Sequence, residues 1–224
     1  MTEPKAEPKA EPATPTEARA SGARLEPPME QRAERPAAQH SAPMLLLDLQ
    51  LGPLDAQQVA ALPAVVDLRR WALAALDPRL SPRHARLHWP AELTLRLTDE
   101  TESADLNQRY RGRAGPTNIL SFPFEPPPGL DPGQSRAAGI NALLGDLVIC
   151  APLVRREAAE QGKTETAHWA HLVVHGVLHL LGFDHLTATE AAPMEALEIN
   201  ILAALGFSTP YEVNDDANGE RRRI

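Results

Sequence analysis

Five of the eight histidines fall between positions 168 and 185. Most of them lie within the clearest helical stretch of the chain, from Thr164 to Leu181. Gly182 supplies the stop, because glycine adopts the positive φ that ends helices. His175 and His179 stand four residues apart, so their rings leave the same helical face one turn apart. Two imidazoles at that spacing can reach one ion at ~2.0–2.1 Å. His185 follows the Gly182 turn by three residues, where the chain can fold back over the same point. The fold therefore has to present this helix and its following turn to one site. Three nitrogens leave a fourth position open for water, as catalytic zinc requires. His171 continues the series, but a rise of ~1.5 Å per residue sets it ~12 Å from His179 along the axis. The set His175, His179 and His185 is thus geometrically feasible, and the set with His171 in place of His185 is not. His168 and His171 read as core, supporting or substrate-facing groups. Ligation by neutral imidazole suits one Zn²⁺, and other divalent transition metals such as Ni, Co or Fe would also bind.

The segments around this helix alternate between the two periodicities. Met44 to Leu49 is a short strand-like run. Pro63 to Leu76 has helical spacing, with Val65, Leu68, Ala72 and Leu76 on one stripe and Pro63 in the first turn. Leu93, Leu95 and Leu97 alternate with Thr94, Arg96 and Thr98, the period of a half-buried strand. Thr101 to Tyr110 reads as a helix with Thr101 near its N-cap, and Asn118 to Phe122 as a strand. Residues 126–139, rich in Pro and Gly, read as a loop. Leu143 to Cys150 is a strand, Pro152 to Gln161 a helix capped by Gly162, and Ala191 to Leu205 a helix stopped by Gly206. Strands and helices mix, and helices collect at the C-terminal end. This order predicts an α+β fold rather than a regular βαβ repeat.

A length of 224 residues suits one domain with extra segments, and 43% hydrophobic residues suffice for a core. Residues 1–43 are excluded from it: EPKAEPKAEPATP is rich in Pro, Glu and Ala and has little apolar surface to offset the entropy of ordering. They are expected to form a disordered tail, followed by a single domain over 44–212 and a polar tail over 213–224. Cys150 is the only cysteine, so no internal disulfide forms. No apolar run approaches the ~20 residues of a membrane span, and no secretory signal opens the chain. A cytoplasmic, membrane-free location is expected. The net charge of -8 argues against bulk electrostatic binding of nucleic acid, although it leaves room for a local basic patch.

The run His175-Gly-Val-Leu-His179-Leu-Leu-Gly-Phe-Asp184-His185 resembles the H-G-x-L-H-L-x-G-[YF]-D-H signature of the bacterial YbeY family. Three further blocks agree in order: Leu106-Asn-Gln-Arg-Tyr-Arg111 with Pro116 to Pro123, Leu144 to Cys150, and Met194-Glu-Ala-Leu-Glu198 before Leu205-Gly206. The resemblance covers roughly residues 44–212. It implies a small domain with a mixed sheet packed by helices, one of which carries two zinc ligands in zincin-like fashion. It also implies a metal-dependent endoribonuclease that acts on single strands in 16S ribosomal RNA maturation and ribosome quality control. The implied partners are ribosomal RNA, the small ribosomal subunit and a ribosome-assembly GTPase, with no DNA specificity. Arg111 falls at the family's Tyr-Arg position, which the resemblance implies is needed for activity. Two positions depart: Asn118 stands where relatives commonly have Asp, and Phe183 where they often have Tyr.

Other chemistries compete. Zinc peptidases of the H-E-x-x-H type carry a Glu beside the first ligand, and here that position is Gly176, which cannot take a proton. A ribosome-assembly factor with a structural zinc is disfavoured by a three-ligand set, since structural sites usually close with four. Asp184 is read chiefly as a brace for the turn or for a ligating His, and Glu195 and Glu198 as ion-pair or supporting groups rather than catalysts. Arg109, Arg111 and Arg113 form a basic cluster, in which Arg109 and Arg113 read as solvated loop residues. Arginine suits phosphate because its planar fork donates two hydrogen bonds.

Overall fold

A computed structural model describes residues 44–81, 83, 84, 87, 89–129, 142–184 and 188–211. The two tails, most of the 126–139 segment and His185 lie outside the described residues.

Four strands form one mixed sheet in the order β1-β2-β4-β3: β1 Leu45–Leu51, β2 Ala91–Thr98, β3 Ile119–Pro123 and β4 Leu143–Cys150. β1, β2 and β4 run parallel, and β3 closes one edge antiparallel to β4. The alternation in β2 appears as expected. Leu93, Leu95 and Leu97 are buried while Glu92, Thr94 and Arg96 are only half-buried. A parallel neighbour requires a crossover, and α1 Ala56–Ala60 with α2 Val65–Ala75 supplies the one between β1 and β2.

The stripe on α2 differs in part from the periodicity reading. Leu68, Trp71, Ala72 and Ala75 are buried, whereas Val65 is exposed. Pro63 precedes the N-cap Ala64 and so stands outside the first turn. Trp71, large and fully buried, sets which face turns inward.

α3 Glu100–Arg111 begins one residue earlier than expected. Its N-cap is Asp99, whose carboxylate accepts from the Glu102 backbone N–H at 2.8 Å. Aspartate satisfies an orphan donor of the first turn better than a threonine already inside the helix could. α4 Ala151–Glu160 leads into α5 Glu165–Leu180, which Thr164 caps through its hydroxyl. α5 is the axis of the core: Trp169, Val173, Val174, Val177 and Leu178 are all buried. Gly176 explains how closely it approaches the sheet. A Cβ there would lie 2.7 Å from Ile119 Cδ1 and 2.8 Å from Leu147 Cδ2. α6 Ala188–Ala204 then packs on α5, with Met194, Ile201 and Leu202 in the core. This last packing is what carries Glu198 to the histidines.

Candidate metal centre

The helical spacing brings the two central histidines together. Their rings are 4.5 Å apart between centroids, and their Nε2 atoms are 3.1 Å apart. The other nitrogen of each ring is held from outside the pair. His175 Nδ1 lies 2.7 Å from Glu198 Oε1, and His179 Nδ1 lies 2.9 Å from the Phe183 carbonyl oxygen.

These partners fix the protonation. A backbone carbonyl can only accept. Glu198 is fully buried, which opposes its charge, but the His171 and His175 rings outweigh that penalty and hold the carboxyl well below the usual carboxylate range. Each Nδ1 therefore donates, and in a neutral ring each Nε2 then carries a lone pair. Two lone pairs directed together at 3.1 Å need a shared electrophile. At that separation one ion could bond to both nitrogens at ~2.0–2.1 Å. Carboxylate or carbonyl acceptance from the remote nitrogen is also the usual support of a metal-bound histidine. The donor set thus fits a divalent transition ion.

The turn after α5 is built to hold its end of the pair. Gly182 has φ 78, and the Gly182 N–H donates to the His179 carbonyl at 2.9 Å. The Arg83 guanidinium donates to the Gly182 carbonyl and sits 4.7 Å above the Phe183 ring. The contact to His179 comes from the Phe183 backbone, so a phenol in place of this ring would not alter it. Asp184 is half-buried at the end of the described turn.

A cavity of about 380 Å³ opens beside the pair, lined among others by Asn118, Glu157, His168, His171, His175 and Glu198. His179 does not line it, so the cavity adjoins the His175 side of the centre. His171 reaches Glu198 Oε2 only at 3.6 Å, and neither ring nitrogen has a hydrogen-bond partner among the described residues. Burial lowers its pKa, against the opposing pull of Glu198. His171, His175 and Glu198 have donor atoms within 4.8 Å of one another and form a second group able to hold a metal. That grouping and the Nε2 pair make different demands on Glu198: a ligand in one, an acceptor for His175 in the other. The 2.7 Å contact to Nδ1 favours the second.

Sequence reasoning placed Glu198 among supporting groups without a partner. Its bond to His175 spans 23 residues, and no local pattern encodes it. Tyr211 was missed altogether, although its hydroxyl donates to Glu198 Oε2. A second imidazole–carboxylate pair was also missed. His168 Nε2 lies 2.8 Å from Glu157 Oε2, and Asn118 Nδ2 donates to the same oxygen at 3.0 Å. Burial opposes the Glu157 charge, but these donors prevail and hold its carboxyl below the usual range. Asn118 thus serves as a donor at the cavity wall. Arg111 ends α3, exposed to solvent, and is not among the cavity-lining residues.

Residues 57–206 match the family model described as endoribonuclease YbeY. The chain belongs to the YbeY family. A YbeY endoribonuclease of Alkalilimnicola ehrlichii is 52% identical over 179 residues, covering 80% of this chain and 98% of that one. Another, of Nitrosococcus oceani, is 53% identical over 153 residues, covering 68% and 90%. Both are named as endoribonucleases, which are hydrolases. A solution structure of a Thermotoga maritima protein aligns with 72% of this chain and 92% of its own, at 19% identity and a TM-score of 0.42. No helix among the described residues is long and apolar enough to cross a membrane.

Proposed function

We propose that this YbeY-family chain is a metal-dependent endoribonuclease that hydrolyses single-stranded ribosomal RNA, including 16S precursor, in the cytoplasm. The observation that carries the reading is the His175–His179 pair, with Nε2 atoms 3.1 Å apart and each Nδ1 bound to an acceptor. His175, His179 and His185 would hold one Zn²⁺, which supplies Lewis acidity and lowers the pKa of bound water toward ~7. Glu198 fixes the orientation and tautomer of His175, and the Phe183 carbonyl does the same for His179. Arg111 binds the phosphate and offsets charge developing on it through its planar fork. The small ribosomal subunit and an assembly GTPase are the partners that accompany such a substrate.

A peptidase reading is disfavoured on two counts. Gly176 offers no carboxyl for proton transfer, and a Cβ there would meet the side-chain tips of Ile119 and Leu147 at 2.7 and 2.8 Å.

The test is incubation of the metal-loaded full chain with 16S precursor RNA, unstructured oligoribonucleotides and a peptide pool, with and without chelator. Cleavage of RNA alone, abolished by chelator, is expected. Arg111→Ala should retain metal and melting temperature while cleavage falls about 10²–10³-fold, the typical cost of removing a donor to transition-state charge. Arg111→Lys should recover only part. Peptide cleavage without RNA cleavage would overturn the reading, and so would full activity in Arg111→Ala for the role of that residue.

A further inference from the structure

The C-terminal end of α3 carries, beside Arg111, an exposed aromatic to which the reading above gives no role. Tyr110 is 66% exposed, although tyrosine is one of the largest apolar surfaces this chain possesses. Its ring meets Phe122 of β3 edge-on, with centroids 4.9 Å apart and planes at 69°, so the ring is braced while staying open to solvent. On either side stand Arg109, Arg111 and Arg113, all exposed. Arg109 is paired with Asp105 at 2.7 Å, whereas Arg111 and Arg113 have no ion-pair partner among the described residues. In a chain of net charge -8, three arginines within five residues form a local field of opposite sign.

The segment beyond is also fixed in place. Gly112, with φ 66, ends the helix. Asn107 Nδ2 donates to the Gly115 carbonyl at 2.9 Å. The Ser103 hydroxyl donates to the Thr117 carbonyl at 2.7 Å and accepts from the Thr117 N–H at 3.0 Å. The loop ends at Asn118, which lines the cavity beside His175. Seven residues span at most ~25 Å, so a short run of single strand suffices to connect the arginine end to the cavity.

We infer that Tyr110 is a base-stacking platform for single-stranded RNA, flanked by Arg111 and Arg113 as phosphate contacts. The inference rests on the RNA reading above and adds the surface that grips the strand. A braced, solvent-open aromatic among unpaired guanidiniums matches what a single strand offers, a π-face on each base and a charge on each phosphate. The bases of a duplex are already stacked and have no face to give.

The test is fluorescence anisotropy of the full metal-loaded chain with a labelled 2′-O-methyl single-stranded oligonucleotide, checked to remain intact, and with the same sequence as a duplex. Tyr110→Ala should weaken single-strand binding between about fivefold and 150-fold, the alanine cost of one stacked base. It should leave duplex binding and the salt dependence unchanged. Arg113→Ala should instead lower the slope of log affinity against log salt by about 0.7. Tyr110→Phe should bind as wild type. Tyr110→Leu keeps an apolar cover on Phe122 but has no aromatic face, and it should lose binding like alanine at an unchanged melting temperature. Wild-type affinity in Tyr110→Ala or Tyr110→Leu would overturn the platform while leaving the endoribonuclease reading intact. A wild-type chain that neither binds nor cleaves single-stranded RNA would overturn both.

Discussion

Glu198 is the residue whose removal most directly probes how α6 supports the metal pair. Glu198→Ala deletes the acceptor of the 2.7 Å bond from His175 Nδ1 and of the Tyr211 hydroxyl. The His175 ring then loses what fixes its orientation and tautomer. Deleting such an outer partner of a metal-bound histidine typically costs about 10–100-fold in metal affinity, or ~1.4–2.7 kcal/mol. Glu198 lines the cavity beside His175, so water can enter the truncated site, and the expected loss lies within this range rather than above it. Glu198→Gln keeps a carbonyl oxygen for His175 but no charge, so it should fall nearer tenfold. Competition of the full chain against a colorimetric zinc chelator measures both. Unchanged affinity in Glu198→Ala would refute the supporting role. Loss of binding in both Glu198→Ala and His171→Ala, with His179→Ala unaffected, would show Glu198 to be a ligand in the His171, His175 and Glu198 group.

Two further outcomes follow from the packing and from an ion pair far from the metal. Gly176→Ala gains helix propensity of ~1 kcal/mol but forces a methyl against Ile119 and Leu147, an overpacking worth ~1–3 kcal/mol. A lower melting temperature is therefore expected, and a rise would contradict the close approach of α5 to the sheet. Glu102 accepts from Arg96 Nε at 2.7 Å and Nη2 at 3.0 Å, and mainly for this reason its pKa is lowered from the ordinary 4.5. The unfolded chain thus binds the proton first. The stability Glu102 contributes is present above that value and declines as pH falls below it. Thermal melts from about pH 3 to 6 should show a shallower acid decline in Glu102→Gln than in wild type, and parallel curves would contradict the assignment.

What was legible in the sequence was whatever a short window encodes. The period of two in Leu93, Leu95 and Leu97 located β2, and Leu143–Cys150 is β4. The i, i+4 histidines with a glycine stop located α5 and the ring pair. Shorter features were lost. α1 has only five residues and is set by an Asp55–Gln58 capping box that no hydrophobic period announces. Val65 matched the period of α2 but lies at its exposed start, while Trp71 defines the inward face. Strand order, the antiparallel β3, and the contacts of Glu198 with His175 and of Glu157 with His168 depend on tertiary packing between separate elements. Periodicity cannot supply them. Helix spacing likewise carries no sign that α6 places a carboxylate between His171 and His175.

We propose that His175 and His179 hold one ion through Nε2, with His185 as third ligand. Elemental analysis of purified full-length protein tests it most directly, comparing wild type with His171→Ala, His175→Ala, His179→Ala and His185→Ala, each checked for an intact fold by circular dichroism. Wild type should carry about one ion per chain, by the logic of a three-ligand site, and the last three variants should show strong loss. His171→Ala should stay near wild type. Full metal content in His179→Ala and His185→Ala, with depletion in His171→Ala, would contradict it.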